Sequence, residues 1–178
     1  MSASAETKRG LLIVMGGLPG TGKTSISKVL ATKLGASYLR IDTIEQALLR
    51  EGCLKAGHEG YLVAYAVAED NLISGNVVIT DSVNSIPATR EAWHGVARKS
   101  GANILEIEVV CSDKDEHRRR VEERKADIPG HKMPTWDEVI DREYEAWATK
   151  HLTIDSSRQS VEAATEKVLE YIARMHPK

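Results

Sequence analysis

Five short apolar runs punctuate the chain: Leu11-Leu12-Ile13-Val14-Met15, Ser37-Tyr38-Leu39-Arg40-Ile41, Val77-Val78-Ile79-Thr80, Ile104–Val110 and Leu152-Thr153-Ile154. Most of them are near-continuous rather than alternating, which is how a parallel strand covered on both faces reads. Between them the period changes to that of a helix. Ile26, Val29, Leu30 and Leu34 recur on one helical face, and Gly35 ends the pattern. Thr43–Arg50 reads as a helix with Ile44, Ala47 and Leu48 on one face, and Tyr61–Ile73 as another, with the three glycines of Gly52–Gly60 forming a loop or hinge. Ala88–Ser100 follows Pro87 with Trp93, Val96 and Ala97 inward. Asp113–Lys125 is a charged helix, and Ile128–Pro134 is a connector broken by two prolines and a glycine. Thr135–Trp147 is predicted helical behind a Thr135–Glu138 capping box, and Ser160–Met175 closes the chain as an amphipathic helix. Strands alternating with helices predict a three-layer α/β/α fold around a five-stranded parallel sheet.

The junction of the first strand and helix carries chemistry. Gly17-Leu18-Pro19-Gly20-Thr21-Gly22-Lys23-Thr24 fits G-x-x-x-x-G-K-[ST], the phosphate-binding P-loop. Its glycines let backbone N–H groups turn toward phosphate oxygens. Lys23 reaches the β- and γ-phosphates, and the Thr24 hydroxyl takes a place on Mg²⁺. With Ser25, Gly17–Thr24 is the predicted ATP-binding stretch. The strand before it and the helix after it supply the context that the motif requires.

Composition narrows the rest. A length of 178 residues fits one domain, with Met1–Lys8 a frayed tail. Phe is absent, so Leu, Ile, Val and Ala must fill the core. A formal net charge of −2 argues against a whole-surface field for nucleic acid. Cys53 and Cys111 form no C-x-x-C and read as thiols of a reducing compartment. The N-terminus lacks an apolar signal core, and no run approaches the ~20 apolar residues of a membrane span. The expectation is a cytoplasmic protein.

Ligands of parallel sheets bind beyond the carboxyl ends of the strands, which brings three further groups into play. Asp42 follows the second strand, where it either accepts the proton of an attacking hydroxyl, holds Mg²⁺ through water, or caps the next helix. Asp81 ends a Walker-B-like hhhh-Asp run and is assigned to Mg²⁺, directly or through water. Arg120 and Arg124, four apart in the charged helix, are assigned to a lid over the transferring phosphoryl group. That lid spans approximately residues 113–147; the bland alternative is a salt-laced surface helix. Arg90 reads equally as a phosphate binder or a solvated helix residue.

Together these residues resemble the P-loop kinases of the nucleoside-monophosphate-kinase-like group, including the small "predicted kinase" ATPases, chloramphenicol phosphotransferase and the polynucleotide kinase domain. The resemblance runs from about Leu11 to Met175. It implies an ATP- and Mg²⁺-dependent phosphotransferase, with Asp42 as general base, Lys23 as a catalytic cation and Arg120 or Arg124 as the lid arginine. The stretch from Val77 to Trp93, with Asp81, Asn84 and Arg90, is similar to the polynucleotide-kinase pattern. One departure matters: many relatives have Arg three places after the strand-two Asp, and here that place is Glu45. A small-molecule hydroxyl acceptor is therefore expected, with a 5′-hydroxyl polynucleotide kinase or an ATPase switch module as alternatives.

Overall fold

Leu12, Ile13, Val14 and Met15 have no exposed surface, so β1 (Leu11–Gly16) is buried on both faces as its unbroken apolar run requires. Around it the chain runs α1 (Lys23–Leu34), β2 (Ser37–Arg40), α2 (Ile41–Arg50), α3 (Glu59–Ile73), β3 (Val77–Asp81), α4 (Pro87–Ser100), β4 (Asn103–Val110), α5 (Lys114–Glu123), α6 (Trp136–Ile140), β5 (Leu152–Asp155) and α7 (Val161–Met175). This computed structural model describes residues 9–53 and 57–176. The predicted tail Met1–Lys8 and part of the Gly52–Gly60 hinge lie outside them.

The five strands form one all-parallel sheet in the order β2-β3-β1-β4-β5. Side chains of β1 alternate between its two faces. Leu12 and Val14 join Ala64, Ala68, Leu72, Trp93 and Val96 on the α3–α4 side. Ile13 and Met15 join Ile26, Leu30, Ala164 and Val168 on the α1–α7 side. The predicted three-layer α/β/α architecture is the observed one. The connection from β1 runs to β2 on one side of the sheet and that from its neighbour β4 runs to β5 on the other, so a crevice opens beyond their carboxyl ends.

Three predicted boundaries shift, each for a local reason. The second strand ends at Arg40 and α2 starts at Ile41 without a loop. The charged helix stops at Glu123, with Asp113 as its cap accepting from the backbone of Asp115 and Glu116. The helix expected over Thr135–Trp147 lasts only from Trp136 to Ile140, although its capping box is present. Tertiary bonds overrule the rest: Glu145 N–H donates to Ser85 O at 2.8 Å, and Arg90 Nη2 donates to Glu145 O at 3.2 Å. Trp147 is thereby drawn into the core, its indole close to Gly16, where a Cβ would lie 2.3 Å from the ring. Tyr144 also donates to Glu108 at 2.9 Å. A helix there would have given up all of these contacts. The helical face predicted for α2 also rotates: Ile41 and Gln46 are buried, while Ala47 is exposed.

Candidate active site

The loop after β1 is held by its own backbone and by its neighbours. Gly17 N–H donates to Val83 O at 3.1 Å, and the Thr21 hydroxyl donates to Leu18 O at 2.9 Å. Gly22 precedes α1 at φ 90°, a left-handed conformation that costs glycine little. Gly20, at φ 85°, also meets a spatial limit: a Cβ there would come 2.6 Å from the Val121 side chain. The glycines thus serve the turn and also let α5 pack directly on the loop.

Lys23 opens α1 and is 7% exposed. Burial lowers its pKa, while Asp81 and then Asp42 oppose that shift. Its Nζ donates to Leu18 O at 3.4 Å. Asp81 is buried at the end of β3 and accepts a 2.6 Å hydrogen bond from the Tyr38 hydroxyl. Tyr38, on β2, was not singled out from the sequence; its signal was no more than a polar tip within an apolar run. Burial and the Asp81 charge push its own ionisation far up, so it stays a donor. Asp42 lies in the first turn of α2 rather than at its cap, and no side-chain capping bond forms at that helix start. Of the readings made from sequence, the capping one fails on this geometry. The side chain is 39% exposed, with Arg40 Nε 3.8 Å away.

Two cavities meet at this point. One, of about 620 Å³, is lined by the loop and α1 (Gly20, Gly22, Lys23, Thr24, Ser25), by Arg120 and Arg124, and by Ser156 and Gln159 after β5. The other, of about 600 Å³, is lined by Pro19, Lys23, Asp42, Glu45, Arg124, His131–Pro134, Glu138, Asp141 and Arg142. Lys23 and Arg124 line both.

The two arginines that the sequence assigns to a lid therefore have different places. Arg120 is on α5 and lines only the first cavity. It is tied to Glu116 at 2.7 Å, to Ser156 Oγ at 2.8 Å and to Ser156 O at 3.1 Å. Arg124 is past the helix end in extended backbone (φ −65°, ψ 129°), so the two do not share a helical face as their spacing suggested. Asp127 anchors this exit. Arg40 donates to it twice, at 2.7 and 3.0 Å, and Lys28 adds a 2.9 Å bond. The Arg40 hydrogen bonds are the largest cause holding Asp127 far below the usual carboxylate range. Neither Asp127 nor Arg40 was picked out by sequence reasoning, because a pair 87 residues apart leaves no local pattern.

Glu45, one turn beyond Asp42, faces the second cavity. Its carboxyl is pushed up to about 7, first by burial, then by Asp42 and Glu59, against the pull of Arg142. Its stem packs on Gly60 of α3, where a Cβ would come 2.3 Å from Glu45 Cγ.

Two residues of the polynucleotide-kinase-like stretch are built into the scaffold. Asn84, fully buried at φ 50°, donates to Met15 O at 3.0 Å and accepts from Trp93 Nε1 at 3.2 Å. Arg90 is 5% exposed, with its guanidinium 5.0 Å above the Trp147 ring. Both readings of Arg90 made from the sequence, phosphate binder and solvated residue, give way to a buried staple.

A family model described as an AAA domain matches residues 12–147. The chain belongs to that AAA domain family. A shikimate kinase of Corynebacterium jeikeium (strain K411) is 27% identical over 132 residues, covering 64% of this chain and 71% of its own. The APS kinase of Mycobacterium tuberculosis, solved with AMPPNP and APS, superposes with a TM-score of 0.69 at 20% identity over 92% of this chain and 98% of that one. A gluconokinase of Sinorhizobium meliloti 1021 gives 0.61 at 16% identity, with coverages of 95% and 94%. The expected likeness to P-loop kinases of the nucleoside-monophosphate-kinase-like type is thus the observed one. No helix among the described residues is long and apolar enough to cross a membrane.

Proposed function

We propose that the protein moves the γ-phosphate of Mg-ATP to a hydroxyl of a small-molecule acceptor. The observation that carries this reading is the pair of cavities sharing Lys23 and Arg124. A donor and an acceptor bound one in each would meet at two cations, where in-line transfer spreads negative charge over the phosphoryl oxygens. The nucleotide occupies the cavity of the glycine loop, with the backbone N–H groups of Gly20, Gly22, Lys23 and Thr24 and the Lys23 ammonium on its phosphates.

In the acceptor cavity Asp42 takes the proton as the acceptor oxygen bonds to the γ-phosphorus and the bridging bond to ADP breaks. Arg124, with Lys23, faces the phosphoryl group in flight, and Arg120 holds the donor side through Ser156. The donor set near the phosphates is all oxygen, the Thr24 hydroxyl and the buried Asp81 carboxylate, which suits a hard cation such as Mg²⁺ that keeps several waters. When bound, that ion neutralises charge on the β- and γ-phosphates. We read the chain as one domain, with residues 113–147 as its lid. We read its location as cytoplasmic, a reading that the free thiols Cys53 and Cys111 support.

The acceptor cavity carries Asp42, Glu45, Glu138 and Asp141 beside Arg124, Lys132 and Arg142. This mixed lining favours a compact acceptor over the basic groove that a polynucleotide end needs. The test is transfer of label from [γ-³²P]ATP with Mg²⁺ to a panel of sugars, hydroxy acids, antibiotics and nucleosides, and to a 5′-hydroxyl oligonucleotide. Label on a small acceptor is expected. Label on the oligonucleotide alone would replace the reading with end-phosphorylation, and phosphate release with no labelled acceptor would leave an ATPase module.

A further inference from the structure

His117 is the one buried histidine among the described residues, and it packs against the loop residues Pro19 and Gly20. Its Nε2 lies 2.8 Å from Pro19 O. Since a carbonyl only accepts, Nε2 must carry a proton. Pro19 lines the acceptor cavity, and the next residue, Gly20, lines the donor cavity. The same ring approaches Gly20 so closely that a Cβ there would lie 3.3 Å from Cδ2. On its other side it meets the Trp136 indole edge-on at 5.2 Å between centroids. Trp136 begins α6, the short helix that brings Glu138, and just beyond it Asp141 and Arg142, to the acceptor cavity.

We propose that His117 is a positioning residue that fixes the donor loop through the Pro19 carbonyl and ties it, through Trp136, to the wall of the acceptor cavity. The proposal rests on reading the cavities as donor and acceptor sites. Its physical content is simple. Between Gly17 and Thr21 the loop's other bonds fall on Gly17, Leu18 and Thr21, and the Pro19–Gly20 peptide, which carries the Gly20 N–H, is the one that His117 reaches. One hydrogen bond to the carbonyl in the middle of the loop restrains that plane. An aromatic contact from the same ring makes α6 feel any shift of the loop. Nucleotide entry on one side is thereby felt at the acceptor wall on the other.

The test needs no acceptor. His117→Phe keeps a ring against Trp136 and Gly20 but deletes the donor, whereas His117→Gln can set an amide N–H near the place of Nε2. Binding of AMPPNP with Mg²⁺ is measured by calorimetry. Phe is expected to weaken it about ten-fold, and Gln to stay within about three-fold of the parent. In the parent protein, long-range ¹H–¹⁵N spectra should give His117 as the Nε2–H tautomer. The Trp136 indole N–H signal, assigned with Trp136→Phe, should move as AMPPNP is added, and in His117→Phe that movement should shrink. Parent-like AMPPNP affinity in His117→Phe, or a ring protonated only at Nδ1, would overturn the proposal even if every variant folds. Failure to label any acceptor would instead strike at the transferase reading, and the His117 measurements would keep their meaning.

Discussion

The donor and acceptor sides of Lys23 are built in opposite ways. The donor side is one contiguous loop between β1 and α1, with the local bond Thr21 to Leu18 inside it and longer-range bonds, Gly17 to Val83 and His117 to Pro19, pinning it to its neighbours. The acceptor side draws on α2, the exit of α5, α6 and the segment running to β5. Long-range bonds hold it: Arg40 to Asp127, Arg90 to Glu145 and Tyr144 to Glu108. A single contiguous stretch suits a part that must cradle phosphates in one geometry. An assembled wall suits a part that can be varied piece by piece for a different acceptor.

The largest effect should come where the two sides join. Lys23→Ala removes a buried cation that both cavities share, and turnover should fall by about 10³-fold or more. Asp42→Asn should lower kcat by roughly 10²–10⁴-fold while AMPPNP still binds, because the loss is confined to proton acceptance. Unchanged kcat would leave the acceptor side without its base.

The lid arginines sharpen the contrast. Arg124→Ala should cut kcat by about 10²-fold, since Arg124 lines both cavities, whereas Arg120→Ala should chiefly raise the KM for ATP. Equal kinetic losses from both would mean that position past the helix end confers no special role.

Asp127→Ala tests the assembled wall as structure. It leaves Arg40 buried with Asp42 as its nearest carboxylate, so a cost of about 2 kcal/mol and a melting point about 4–8 °C lower are expected. The Asp127 carboxyl is depressed in the folded state, so its stabilisation is complete above the ordinary carboxylate pKa and fades as pH falls below about 4. The gap between parent and variant melting temperatures should close in that acid range.

Glu45 should give the smallest and most discriminating effect. Its pKa is raised to about 7, so the folded state holds the proton more tightly than the unfolded chain does. Stability is then lost as pH rises from about 4 to 7. Glu45→Gln should melt about 2–4 °C above the parent at pH 8, an estimate discounted for half exposure, with no difference at pH 4. A constant difference across that range would show that the Glu45 charge is not what the wall resists.

Much of the donor side was legible beforehand. Leu11–Met15, the glycine loop and the helical spacing of Ile26, Leu30 and Leu34 lie within 25 residues, and the chemistry of a phosphate cradle demands residue types that stand out. The acceptor side was legible only in part. Asp42 was visible because it follows a strand, but its place within the first helical turn was not. Arg120 and Arg124 were visible as charges, yet their four-residue spacing misled, because the helix ends between them. Tyr38, Arg40, Asp127 and His117 had no local signature. The predicted helix to Trp147 failed although its capping box was correct, because Ser85 and Arg90 take up backbone groups that a helix would have used.

The sequence by itself determined the order of strands and helices, the buried faces of β1, α1 and α4, and the phosphate loop. Each of these rests on the spacing of apolar residues or on the backbone freedom of a few glycines, and both are properties of neighbours along the chain. Only the tertiary structure decided which arginine faces both cavities, where the helix predicted to Trp147 unwinds, and which partners hold the loop and its exit. Those outcomes depend on hydrogen bonds and ion pairs between residues tens of positions apart, whose gain appears only when the sheet has brought them together.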